Sequence, residues 1–181
     1  MQITIDEKAM RAAFDAVKDD PVFAESAAAV RAGKWPVQMF QALSLQPSLL
    51  EAFTAVSRGV YPGGRVEREV KEVIILEASR RNACQFCTQS HIAMCRMIGL
   101  SNDPLAMVDD ASQLTERQMA ARELTRAVMT DSNSVPTQVY DRAHAAFADA
   151  ELVEVVFMIG FINCLNLFNN TLGVRYEGEY A

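Results

Sequence analysis

The chain has 181 residues, of which 50% are hydrophobic and 22% charged, so it is long enough for one domain with a buried core. Its net charge of −6 disfavours nucleic acid or an anionic membrane as the main partner. The first residues contain no basic region followed by an apolar stretch, so we expect no signal peptide. Without an export signal, the four cysteines are predicted to be reduced thiols in the cytoplasm.

Helix signals dominate the first sixty residues. Thr4 and Glu7 have the spacing of a capping box, which predicts a helix at the N-terminus. Three prolines mark the next predicted starts, because proline is tolerated in the first helical turn: Pro21, Pro36 and Pro47. Gly33 is predicted to end the second helix. Tyr61–Gly64 has the composition of a loop.

A longer helix is predicted from about residue 66 to residue 81. The β-branched run Val73–Leu76 would also suit a buried strand. The charged residues before it follow without a turn signal, and they favour a helix instead. Asn82 and Ala83 break the pattern, and another helix is expected from Cys84 to Gly99.

The rest of the chain also contains signals for helix starts and ends. Thr115 and Gln118 form a second capping-box pattern, which predicts a helix to about Thr130. Pro136 begins the next helix, and Asp149 is expected to cap a final one that ends at Gly173. We predict a frayed tail over residues 177–181.

The final helix contains the most apolar stretch, Val155–Phe168. It is shorter than the roughly 20 residues that span a bilayer. We interpret it as a buried core helix and expect no membrane span. With no convincing strand or internal repeat, the sequence predicts one all-α domain over residues 1–181.

Two cysteines and a histidine carry the chemistry of the chain. Cys84 and Cys87 are three residues apart, and His91 follows four residues later, so all three share one helical face. A thiolate is the reactive form of cysteine, and a helix N-terminus or a nearby base promotes it. A helix-end argument favours Cys84 as the nucleophile, whereas assistance by His91 favours Cys87. The spacing alone leaves both assignments open.

A metal site is the alternative reading of Cys84, Cys87, His91 and Cys95. However, Cys84 and Cys95 would lie about 16 Å apart along one helix, which is too far for one ion. We therefore favour a redox pair and predict no metal.

Further residues have weaker signals. The carboxylates that could orient His91 are Glu67, Glu69, Glu72 and Glu77, and spacing does not choose among them. Cys95 and Cys164 are expected to be core or wall residues, and His144 is expected to be solvated or satisfied rather than catalytic. Asn163, Asn166 and Asn170 share one face of the last helix. We expect them to form interhelical hydrogen bonds, with a role in the site left open.

The spacing Glu-x11-Cys-x2-Cys-x3-His, formed by Glu72, Cys84, Cys87 and His91, resembles the signature of alkylhydroperoxidase D-like (AhpD-like) proteins of the carboxymuconolactone decarboxylase superfamily. The similarity extends from about Pro47 to Gly173. It implies an all-α bundle with the cysteine motif at the start of a core helix.

The resemblance also implies roles and partners. Cys87 would attack a hydroperoxide, Cys84 would resolve the product as a disulfide, and His91 and Glu72 would relay protons. A dithiol or thioredoxin-like donor would restore the thiols without a cofactor. The family implies a homo-oligomer, a trimer or a multiple of it.

Two other functions remain open on the sequence. One is a redox sensor or binding protein without turnover. The other is a decarboxylase or isomerase that uses His91 on a small ring substrate, although the classical decarboxylases of the superfamily lack the cysteine pair.

Overall fold

The computed structural model describes residues 1–180, and these contain ten α-helices and no strand, which confirms the all-α prediction. The helices are α1 (Glu7–Asp15), α2 (Ala24–Arg31), α3 (Gln38–Ser44), α4 (Pro47–Val60), α5 (Arg68–Arg81), α6 (Gln85–Met97), α7 (Pro104–Asp109), α8 (Glu116–Thr130), α9 (Thr137–Ala146) and α10 (Asp149–Leu172). Two 3₁₀ turns lie at Pro21–Phe23 and Ala111–Gln113.

Helix α5 forms the centre of the bundle and packs against α6, α8 and α10. Every residue from Val70 to Ser79 is buried, so the apolar run Val73–Leu76 is covered on all sides. Ile74 and Ile75 face the main core, whereas Val73 and Leu76 face a smaller cluster beside α7. A helix covered on every side needs no amphipathic stripe, which explains why its sequence resembles a buried strand.

A tight corner joins α5 to α6. Asn82 ends α5, and Ala83 adopts the left-handed region with φ 50°, which is uncommon for a residue other than glycine. The Cys84 N–H then donates to the carbonyl of Ser79 at 2.8 Å. Cys84 therefore becomes the N-cap residue of α6.

Asparagines of α10 hold this corner. The Asn82 side chain donates to Asn163 Oδ1 at 2.8 Å and to Asn166 Oδ1 at 3.0 Å. Asn170 Nδ2 donates to the Asn82 carbonyl at 2.9 Å. The expected interhelical hydrogen bonds of the asparagine face are thus present, and they fix the approach to the cysteines.

A buried ion pair holds the loop between α4 and α5. Lys71 lies 2.6 Å from Glu154, and both side chains are almost fully buried. Glu154 also accepts the backbone N–H groups of Arg65 at 2.7 Å and Val66 at 3.2 Å. A side chain at Gly64 would collide with Glu154, so the loop requires glycine there.

Helix α10 is only partly the buried core helix that the sequence predicts. Its buried face includes Met158 and Ile162, but Val153, Phe157 and Leu167 are exposed. Among the helices of residues 1–180, α10 alone is long and apolar enough to cross a membrane. Core helices of soluble proteins can have the same length and composition. Because it bonds to the α5–α6 corner and carries the buried Glu154, we describe it as part of the bundle.

Several predicted boundaries are wrong. Asp6, not Thr4, caps α1 by accepting the Ala9 N–H at 3.0 Å. Ala148, not Asp149, is the N-cap of α10. Helix α7 was missed, because it is only six residues long.

The tail is not frayed over residues 177–180. The Tyr180 hydroxyl lies 2.8 Å from Ser26 Oγ, and the Tyr180 N–H donates to the Tyr176 hydroxyl at 2.9 Å. The predicted fraying at Ala181 lies outside the described residues. The apolar ring of Tyr180 explains why the tail packs against the rest of the protein. The tail sequence resembles a free end because the residues around Tyr180 are mostly polar or small.

Candidate dithiol site

The α5–α6 corner places Cys84 and Cys87 at the start of α6. Cys84 is the N-cap residue, and Cys87 lies one turn later. Both are free thiols and nearly inaccessible, with 1% and 2% exposure. The site is therefore a buried sulfur pair rather than a surface thiol.

Asn169 contacts the pair and was missed in the sequence. Its Nδ2 donates to Cys87 Sγ at 3.2 Å. Its position three residues after Asn166 continues the asparagine face, and this periodicity could have identified it. A donor to sulfur holds the Cys87 side chain in place.

The two thiols interact, and their pKa values shift in opposite directions. The hydrogen bond from the Cys87 thiol is the largest influence that lowers the pKa of Cys84, to about 7. The Cys87 backbone N–H, Asn166 and the charge of His91 also lower this pKa, and burial opposes them. The same interaction with Cys84, together with burial, raises the pKa of Cys87 well above its ordinary value. The lowered pKa thus falls on Cys84, with the Cys87 thiol as its largest cause and the N–H group at the helix end as a smaller one.

His91 and Glu72 are brought together as the resemblance implies. His91 Nδ1 lies 2.7 Å from Glu72 Oε2, and the Glu72 side chain is completely buried. Because a carboxylate accepts, Nδ1 carries the proton and Nε2 is left as the basic nitrogen. Within residues 1–180, His91 makes no hydrogen bond to Cys87, and its charge acts instead on Cys84.

Two of the other candidate carboxylates have different partners. Glu77 is held by Arg81 at 3.0 Å and Arg126 at 2.8 Å. Glu67 pairs with Arg117 at 2.8 Å. Glu69 is exposed, so Glu72 is the candidate that contacts His91.

Tyr61 and Arg68 extend the polar chain, and no sequence pattern indicated a role for either. The Tyr61 hydroxyl donates to Glu72 Oε1 at 2.6 Å, and its ring lies edge-on to His91 with centroids 5.3 Å apart. Burial, and then the charge of Glu72, raises the pKa of Tyr61 well above its usual value, so the hydroxyl remains a donor. Arg68 donates to this hydroxyl at 3.3 Å.

Three residues with weaker signals are now placed. Cys95 is buried, with its sulfur 3.8 Å from Glu72 Oε2, and burial and the Glu72 charge raise its pKa. Cys164 is exposed on α10. His144 lies on α9 against the ring of Tyr140. Only Cys95 touches the site, as a weak donor and not as a thiolate.

A cavity of about 80 Å³ opens beside His91. Its wall is mainly apolar, and Tyr61, Glu25 and Ser26 form a polar edge. The apolar lining includes Met39, Phe40, Phe53, Phe86, Met158 and Phe161. Within the described chain, no group of three or more His, Cys, Asp or Glu residues could hold a metal ion.

The fold and site define an all-α protein with a paired-thiol centre, and comparisons show which known proteins it is similar to. The model of the carboxymuconolactone decarboxylase family matches residues 47–127. The uncharacterized protein YdfG of Bacillus subtilis (strain 168) is 25% identical over 114 residues, which are 61% of this chain and 78% of YdfG.

Solved structures share the fold. A protein of unknown function from Agrobacterium tumefaciens, proposed to be the antioxidant defence protein AhpD, aligns with a TM-score of 0.66 and 25% identity over 75% of this chain and 94% of its own. An uncharacterized peroxidase-related protein with an alkylhydroperoxidase AhpD core, from Ralstonia eutropha JMP134, aligns with a TM-score of 0.78 at 19% identity, covering 99% and 93%. A peroxidase-related protein from Silicibacter sp. TM1040 gives 0.74 at 17% identity, covering 99% and 91%. The chain is therefore similar over residues 47–127 to the carboxymuconolactone decarboxylase family, and it shares its fold with proteins described as AhpD-like.

The ionisation of Cys84 leads to a prediction about pH. In the reduced protein, alkylation of Cys84 by iodoacetamide should be half-maximal near pH 7 and should slow below it, as the thiolate is protonated. In Cys87→Ala the midpoint should rise toward about 8.5, the ordinary thiol value, because the donor to Cys84 is lost. Fragmentation mass spectrometry locates the label.

Cys164→Ala serves as the control, because it removes the exposed thiol and leaves the pair intact. It should keep the parental midpoint. Equal midpoints in the parent and in Cys87→Ala would contradict the proposed hydrogen bond between the thiols.

Proposed function

We propose that the protein is a peroxidase that reduces hydroperoxides through a Cys84–Cys87 disulfide, with His91 and Glu72 as the proton relay. The observation that carries this proposal is a buried, hydrogen-bonded thiol pair next to a carboxylate-oriented histidine. The similarity to AhpD-like proteins supports a peroxidase-related role.

In the oxidative half-reaction, the Cys87 proton passes by way of the hydrogen-bonded Cys84 sulfur to His91, and the Cys87 sulfur attacks the terminal peroxide oxygen. The O–O bond breaks, and the alkoxide takes the proton back from His91 to leave as an alcohol. The Cys84 thiolate then attacks the resulting sulfenic acid, and the leaving hydroxide takes up a proton from solvent to become water. The products are one disulfide, one alcohol and one water.

A dithiol or thioredoxin-like donor then supplies two electrons and restores both thiols. The ionisation of Cys84 supports this order of events. A thiolate is needed to resolve a sulfenic acid, and a thiol of low pKa is also the better leaving group when the disulfide is reduced. The same ionisation would also allow Cys84 to attack peroxide itself, so the order needs a direct test.

The relay makes a prediction about two variants. His91→Gln should slow peroxide consumption by about 10² to 10⁴-fold, the usual contribution of a general base, and should slow Cys87 alkylation with it. Glu72→Gln should slow both more weakly, because it acts through the histidine. Circular dichroism should show intact folding.

His144→Gln is the matched control, since His144 lies outside the site, and it should keep parental rates. If consumption remains rapid in His91→Gln, the proton relay is wrong. If no variant, nor the parent, turns over peroxide with a dithiol, the peroxidase proposal itself fails.

The order of the sulfurs makes a separate prediction. In Cys84→Ser, one equivalent of peroxide should add oxygen to Cys87, which then accumulates as sulfenic or over-oxidised acid because no thiol resolves it. Mass spectrometry of the intact protein and of the peptide reads this directly. Oxygen on Cys84 in Cys87→Ser, with none on Cys87 in Cys84→Ser, would reverse the two roles.

We also propose a homo-oligomer, a trimer or a multiple of it, as the family resemblance implies. The exposed face of α10, with Val153, Phe157 and Leu167, provides apolar area for a second copy to cover.

Light scattering at micromolar concentration should give at least a trimer. Phe157→Glu should reduce the assembled mass, whereas the exposed Met97→Glu control on α6 should not; a monomeric parent refutes the proposal.

A further inference from the structure

Phe86, between the two cysteines in sequence, separates two spaces. One face lines the apolar cavity beside His91. The same residue also lines a surface groove of about 520 Å³. We call this second space the amide groove, because its polar lining comprises Gln85, Gln89, Asn169, Asn170 and Arg175.

Asn169 connects the amide groove to the sulfur pair. Its side chain is 1% exposed, and its Nδ2 contacts Cys87 Sγ at 3.2 Å. Its Oδ1 is buried and has no hydrogen-bond partner among residues 1–180. Because buried carbonyl oxygens are nearly always hydrogen-bonded, this oxygen indicates that a ligand N–H completes the site.

The lining of the amide groove fits a peptide. The exposed amides of Gln85, Gln89 and Asn170 can each donate and accept, as peptide groups require. The Arg175 guanidinium forms no ion pair with the described residues, and the groove has no acidic side chain. An arginine in this setting favours a carboxylate on the partner.

We propose that the amide groove is the docking site of the electron donor, an extended peptide segment that carries a dithiol and a carboxylate. Peroxide reaches the sulfurs from the cavity on the other side of Phe86. This inference rests on the proposed function, because it requires a Cys84–Cys87 disulfide to reduce. It assigns the two half-reactions to two different entrances.

The exchange balances in two steps. One donor thiolate attacks Cys87 Sγ, the S–S bond breaks, and Cys84 leaves as a thiolate. The second donor thiolate then attacks the donor sulfur of the mixed disulfide. Cys87 leaves and takes a proton, and the donor ends as a disulfide that has lost two electrons.

The test measures reduction separately from oxidation. The disulfide is formed with diamide, so that this arm does not depend on peroxide activity. Its reduction is followed with an acidic Cys-x-x-Cys peptide, with the same peptide carrying Gln in place of Glu, and with dithiothreitol. The variants are Arg175→Glu and Gln89→Trp in the amide groove, Leu165→Trp in the cavity, and Arg142→Glu on exposed α9 as the charge control.

Arg175→Glu should slow reduction by the acidic peptide about tenfold, because like charges oppose docking, and should leave dithiothreitol unaffected. Gln89→Trp should slow both peptides. Arg142→Glu should match the parent. Leu165→Trp should slow oxidation by cumene hydroperoxide but not reduction, whereas both groove variants should oxidise at the parental rate.

The outcomes separate the two proposals. Any of three results would overturn the donor site. The groove variants could be reduced at the parental rate, or Arg142→Glu could slow reduction as much as Arg175→Glu does. The third such result is that diamide forms no Cys84–Cys87 disulfide. If peroxide forms no disulfide in the parent while the groove variants still slow reduction, the donor site stands and the peroxidase function fails.

Discussion

The candidate site depends on the turn at Asn82 and Ala83. This turn takes the chain out of α5 and makes Cys84 the N-cap residue of α6, so that the Cys87 N–H and thiol both reach its sulfur. A left-handed alanine costs backbone energy and persists only where the surroundings hold it. The Asn82 side chain, held by the amides of α10, supplies that support. The reactivity of the cysteines is therefore set by a helix that is distant in sequence.

A second constraint is the burial of Glu72. Removing a carboxylate from water costs several kcal/mol, and the structure offsets this with donors from Tyr61 and His91. Arg68, with its Nε 3.6 Å from the carboxylate, adds an attractive charge. Because both oxygens are occupied, the His91 ring has one orientation and one protonated nitrogen. The preorganised base is thus a consequence of satisfying a buried charge.

The sequence predicted the features that depend on local spacing. Prolines and capping residues located most helix starts, and the Glu72, Cys84, Cys87 and His91 spacing identified the resemblance and a candidate site. It did not predict Tyr61 or Asn169, because their contacts join segments that are remote along the chain. It also did not give the ionisation order, since the pKa of Cys84 depends on which thiol donates to the other. Boundaries such as Asp6 in place of Thr4 depend on the cap geometry that tertiary packing selects.

Helix α10 links the chemistry of the site to the outer surface. One face carries the asparagines that hold the corner and contact Cys87, and another carries exposed apolar residues such as Phe157. Forming the disulfide would remove the thiolate on Cys84 and the thiol proton on Cys87, so the hydrogen bonds from Asn166 and Asn169 would change together. Such a change would act on the same helix that carries the exposed apolar residues. The same architecture would therefore serve a peroxidase or a redox sensor, and what separates the two is whether a donor returns the electrons.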